Sequence, residues 1–151
     1  MKDPQKICII GDIVVDVSLN LESDNKLRFG GIIHPARALW ATNSNYTLGF
    51  FCPQYLDERI QTFTQTIGAP VISKLGNITG APYVFLINEV KEIGDQGYEF
   101  ILRDEVKTHY IDNTLSKLND DKITDILIIS GNFELGKVLQ HTSNHVNIHI
   151  D

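Results

Sequence analysis

The sequence predicts an α/β domain built on a largely parallel sheet. Two observations carry this: all-apolar runs too short for helices, and strand-like stretches that alternate with helical ones along the chain. Its 151 residues suit one domain with a real core. A chain of this length hides roughly 70% of the surface it exposes when unfolded.

Ile7-Cys8-Ile9-Ile10 is a continuous apolar run stopped by Gly11, the pattern of a strand buried on both faces. From Ile13 to Leu21 the chain alternates. Val15, Val17, Leu19 and Leu21 take one side and Asp16, Ser18 and Asn20 the other, which marks a half-exposed strand. Glu22 to Asn25 is a polar turn, and Lys26-Leu27-Arg28-Phe29 alternates again before Gly30-Gly31. From His34-Pro35 the spacing becomes helical: Pro35 suits a first-turn position, and Ala36, Leu39, Trp40 and Asn43 follow.

Strands are predicted at Thr47–Phe51 and Pro70–Ile72, with an amphipathic helix from Leu56 to Ile67 between them. Tyr83–Ile87 and Tyr98–Leu102 read as two strands joined by a polar connection. Ile111–Leu118 reads as a helix, with Asp112 near its start. Ile126–Ile129 is a second all-apolar strand, followed by Ser130-Gly131-Asn132 and a helix from Glu134 to His141. Val146–Asp151 is a last strand. An acid closing that strand would stand at the carboxyl edge of a sheet, where open α/β sheets bind ligands. A truncated or split chain, or an excised domain, is the expectation.

Composition narrows the function. A net charge of −6 argues against a nucleic-acid partner, because phosphate contacts need clustered Lys and Arg. No apolar run approaches the ~18 residues of a membrane span, and Met1–Lys6 lacks the features of a secretory signal. Cys8 and Cys52 lie inside apolar runs and read as reduced core thiols of a cytoplasmic protein. The triplets Asn45-Tyr46-Thr47 and Asn77-Ile78-Thr79 are then chance matches to a glycosylation signal. His34, His109, His141, His145 and His149 show no zinc-ligand spacing with the cysteines, so no metal site is expected. No covalent-nucleophile motif, Gly-x-Gly-x-x-Gly fingerprint or Walker sequence occurs.

Two places could carry chemistry. Asp16 offers two acceptor oxygens to paired hydroxyls of a sugar, although the same pattern also describes a solvated acid. Gly30-Gly31 precedes a helix start, where backbone can approach a ligand and N–H groups are free; an ordinary tight turn reads the same way.

Taken in order, these features resemble the ribokinase-like, or phosphofructokinase-B, family of carbohydrate kinases. The matching pieces are a strand followed by Gly-x-x-x-x-Asp (Gly11 to Asp16), lid strands at 13–21 and 26–29, and Gly30-Gly31 leading into a helix. Thr79-Gly80 before the strand at 83–87, and the strand 126–129 ending in Ser130-Gly131, extend the match over nearly the whole chain. The resemblance implies a Rossmann-like parallel sheet flanked by helices, with a small β lid at about 13–29. It makes residues 1–151 the amino-terminal part of one such domain, truncated before its nucleotide-binding and catalytic part. It implies phosphoryl transfer from ATP, with Mg²⁺, to a hydroxyl of a sugar, sugar phosphate or nucleoside.

Substrate binding would fall to Asp16, Gly30 and Gly31, with Asn132 facing the same cleft. Two positions depart from the family's pattern. Val14 stands where a polar residue is common, and Pro35 stands where an Asn belongs. His34 or Arg37 is expected to replace the lost contacts, with Arg37 favouring an anionic substrate. The family's Gly-Ala-Gly-Asp element, whose Asp is the catalytic base, does not occur in 1–151. No catalytic residue, no turnover by this chain alone and no strong binding of ATP or Mg²⁺ are therefore expected. The alternative is a kinase-derived module that binds a metabolite without chemistry. The resemblance also implies a homodimer through the lid strands, unless their apolar face packs on its own domain.

Overall fold

The computed structural model describes residues 6–19, 26–66, 68, 71–80, 84–88, 91–93, 106–129 and 131–151. The first apolar run becomes β1 (Lys6–Asp12), the centre of a six-stranded sheet. Its parallel neighbours are β4 (Tyr46–Cys52) and β9 (Ile123–Ile128), which are also apolar-rich. β5 (Val71–Thr79) lies parallel outside β4, and β10 (Asn147–Ile150) parallel outside β9. β8 (Lys107–Tyr110) closes the far edge antiparallel to β5, giving the order β10-β9-β1-β4-β5-β8.

Alternate side chains of β1 enter two different cores. Cys8 and Ile10 join Phe51, Leu75, Ile126 and Ile128 beneath α3 (Asp112–Leu115), its 3₁₀ continuation to Leu118, and α4 (Leu135–Leu139). Ile9 joins Leu48, Ile33, Ala36 and Ile60 beneath α1 (Ile33–Ala41) and α2 (Asp57–Thr66). A helix layer on each face is what an all-apolar strand requires. Each fully buried Ile or Leu contributes about 1.5–3 kcal/mol.

A second sheet, β3-β2-β6-β7, is the lid. β2 (Val15–Leu19) pairs antiparallel with β3 (Lys26–Phe29) and parallel with β6 (Val84–Asn88), and β7 (Lys91–Ile93) closes against β6. The lid sheet therefore reaches beyond 13–29 to take in strands at 84–93.

Several expected boundaries move for physical reasons. Ile13 and Val14 are not strand; they carry the chain from β1 to the lid, with the Ile13 N–H donating to Phe51 O at 2.9 Å. Asn43 lies past the end of α1 with φ 54°, a left-handed residue where the helix stops. β5 continues to Thr79 rather than stopping at Ile72, and α4 is shorter than the predicted 134–141. The strand predicted at 98–102 lies outside the described residues, as do Ile67, Pro70, Tyr83 and Ser130. Cys8 and Cys52 are free and buried, and burial pushes both thiols up to about 12.

Candidate functional site

The site grows from the end of β1. Asp12 is the last residue of that strand, and its carbonyl accepts the Ile32 N–H at 3.1 Å. Gly31 passes so close to this carbonyl that a Cβ would overlap it, and its φ of 61° is one that side chains resist. Glycine at 31 is therefore required twice over. Gly30 answers to a different atom. Its N–H donates to Val14 O at 3.0 Å, and a Cβ there would fall on the Asp16 carboxylate.

Asp16 is seated on that bare backbone. It is only 5% exposed, and its Oδ2 lies 2.9 Å from His34 Nε2. The solvated-acid reading of Asp16 is thereby corrected: the missing Cβ at Gly30 makes room for a buried carboxylate. His34 belongs to the first turn of α1 and keeps 58% of its side chain exposed. α1 has no side-chain cap and no acidic residue in its first turn. Asp16, reaching in from the lid, brings negative charge to that turn, where the helix dipole favours it.

A second cluster lies at the same edge of the sheet. Asp12 is 5% exposed, and its Oδ2 accepts the Asn132 backbone N–H at 2.8 Å and the Asn132 Nδ2 at 3.0 Å. Its Oδ1 is buried without a hydrogen-bond partner among the described residues. Burial holds the Asp12 carboxyl above the usual carboxylate range, and the two bonds from Asn132 only partly offset this. Gly131 lies directly over the group, since a Cβ there would come 2.6 Å from Asp12 Cγ. The loop is tied again where Thr108 Oγ1 donates to Asn132 O, and where the Glu134 N–H donates to Tyr110 Oη at 2.7 Å.

Of the residues singled out from sequence, Asp16, Gly30, Gly31 and His34 come together. Asn132 turns its amide to Asp12 and joins the group through that residue. Arg37 is set apart, with its guanidinium 5.4 Å from the centre of the Phe63 ring. Sequence reasoning passed over Asp12, although an acid closing an all-apolar strand directly after Gly11 is a usable signal. Among the described residues no three His, Cys, Asp or Glu side chains are grouped to hold a metal ion. No described helix is long and apolar enough to cross a membrane.

No family model and no curated protein matches the chain. Solved structures do. The tetrameric inhibited form of phosphofructokinase-2 from Escherichia coli is similar, with a TM-score of 0.61 at 12% identity over 98% of this chain and 54% of that one. Ribokinase from Cryptococcus neoformans var. grubii serotype A, solved in complex with ADP, gives 0.55 at 11% identity over 97% and 49%. The chain has the ribokinase-type fold. It spans about half the length of the solved structures it matches. Within this ribokinase-type fold, Gly30 and Gly31 form the crossing from β3 to α1, between Asp16 on lid strand β2 and His34 in the first turn of α1.

Proposed function

We propose that this chain is the substrate-binding half of an ATP-dependent carbohydrate or nucleoside kinase. The observation that supports it best is Asp16, a buried carboxylate seated on Gly30 and bonded to His34 where the lid meets the main sheet. A carboxylate shielded from water is a strong acceptor for hydroxyl groups. His34 engages Oδ2, which leaves Oδ1 for a substrate hydroxyl, and the exposed His34 ring offers a second polar contact beside it. Gly30 and Gly31 let the backbone approach the same ligand. Asn132 contributes indirectly, by holding Asp12 and the loop it closes.

Such a cradle would orient a polyol so that one hydroxyl faces the phosphoryl donor, and positioning is most of what phosphoryl transfer asks of the protein. In this reading ATP, Mg²⁺ and the catalytic base belong to the part of the fold that the chain does not span. The chain alone binds substrate and does not transfer phosphate. The test is calorimetric titration with monosaccharides, sugar phosphates and nucleosides. At least one class should bind, and the near-isosteric Asp16→Asn should weaken it by about tenfold or more, the loss of one hydrogen bond to a charged group. Affinity untouched by Asp16→Asn would contradict the assignment.

A second reading, a metabolite-binding module without chemistry, draws support from His34 already occupying one Asp16 oxygen. The intact mass of the native protein separates the two. A mass near double 17.0 kDa with ATP-dependent phosphorylation favours the kinase; a matching mass with binding but no turnover favours the module.

A further inference from the structure

β10 is an edge of the main sheet, and its register sorts its backbone groups into two sets. The Asp151 N–H donates to Ile128 O at 3.0 Å, so in this parallel pair the odd-numbered residues bond to β9. The N–H and C=O of Ile148 and Ile150 therefore point away from the sheet. Their side chains stand on the face of their register partners Ile126 and Ile128, which belong to a buried core. Yet Ile148 is 41% and Ile150 60% exposed, so the core face runs out uncovered at this edge. On the other face Asn147 Nδ2 donates to Asp125 Oδ1 at 3.2 Å, and His149 Nε2 lies 3.4 Å from the same oxygen.

A bare edge is a template for another strand, and proteins commonly guard one with lysine, proline or a bulge. Asn147-Ile148-His149-Ile150 carries neither residue and pairs with β9 in unbroken register. The strand is also complementary to itself. Turned about a two-fold axis at His149, it sets Ile148 against the partner's Ile150 and Ile150 against the partner's Ile148. Each such pair exchanges two backbone hydrogen bonds, which uses every outward group of the strand. The four isoleucines then lie side by side on one face. On the other face the Asn147 amide meets the partner's Asp151, a donor against an acid. An axis one residue earlier would call on the Val146 N–H, which already donates to Ser143 O at 3.3 Å.

We propose that a second copy of this chain pairs with β10, edge to edge and antiparallel, to make one sheet that runs through both subunits. The patch is small beside the roughly 1,200–2,000 Å² of stable interfaces, so association is weak and depends on concentration. The proposal rests on the sheet edge and not on the kinase reading.

The test is oxidative cross-linking of His149→Cys. His149 and the partner's His149 form the non-hydrogen-bonded pair, with Cα atoms about 4.5 Å apart, within reach of a disulfide. A disulfide-linked dimer should form well above the level of the parent chain, whose Cys8 and Cys52 are buried. In the parent chain the Ile148 and Ile150 amides should exchange more slowly as concentration rises. Ile150→Lys, at an exposed position, should weaken the dimer by about tenfold or more in sedimentation velocity, with an unchanged backbone spectrum. Leu27→Glu, on the lid, should leave the cross-link intact. Cross-linking no better than the parent's, or Ile148 and Ile150 exchange that ignores concentration, would overturn the pairing and leave the edge to a strand of another polypeptide. A dimer that Leu27→Glu abolishes and Ile150→Lys does not would overturn it too, by placing the contact on the lid.

Discussion

Adjacent glycines at 30 and 31 make way for different neighbours, and their substitution should separate accordingly. Gly31→Ala meets both a left-handed φ and the Asp12 carbonyl, so it should destabilise the fold by about 2 kcal/mol or more in urea unfolding. Gly30→Ala meets the Asp16 carboxylate, so its main effect should be loss of the Asp16–His34 bond and of substrate binding. Asp12 makes a pH prediction. Burial raises its folded pKa above the unfolded value, so the stability it contributes is full below the unfolded pKa and lost as pH rises through the folded one. Asp12→Asn should abolish that loss, and unfolding profiles that stay parallel from acid to neutral pH would contradict the burial argument. At this scale the sequence was legible in part. The Gly-x-x-x-x-Asp spacing and Gly30-Gly31 marked residues that the fold brings together. That Asp16 is buried, and that Asn132 is spent on Asp12, depends on contacts between segments far apart in sequence.

Among the elements, legibility followed burial. β1, β4 and β9 are central parallel strands, and their apolar composition announces them. β8 reads Lys-Thr-His-Tyr on a sheet edge, alternately exposed and half-buried, and leaves no apolar run to recognise. β7 has only three residues, too few for a periodicity. The join between β4, β8 and the Asn132 loop was equally invisible. Phe51 of β4, fully buried, stacks on Phe133 at 4.6 Å and meets Tyr110 edge-on at 5.8 Å. Phe51→Ala should cost about 3–5 kcal/mol, the range for emptying a buried aromatic position. Chemical denaturation checks it, and a loss below about 1 kcal/mol would mean that the site collapses around the gap.

For the molecule as a whole, alternation of strands and helices predicted the parallel sheet, while the strand order β10-β9-β1-β4-β5-β8 is fixed by crossovers that no local pattern encodes. The resemblance supplied the lid, and the structure added β6 and β7 to it. The lid also bears on association. Leu27 is 72% exposed, on the same lid face as its cross-strand partner Val17. A homodimer through the lid strands would cover it. Sedimentation velocity should then report a concentration-dependent dimer that Leu27→Glu weakens; a monomer at every concentration would count against lid pairing.

The central claim is that Asp16 and His34 together receive a substrate hydroxyl. The most direct measurement is NMR of the Asp16 carboxyl carbon and the His34 ring while the tightest-binding sugar or nucleoside is titrated into the chain. The account predicts that both signals move along one saturation curve and that Asp16→Asn removes the binding. A ligand that saturates the chain while both signals stay still would contradict it.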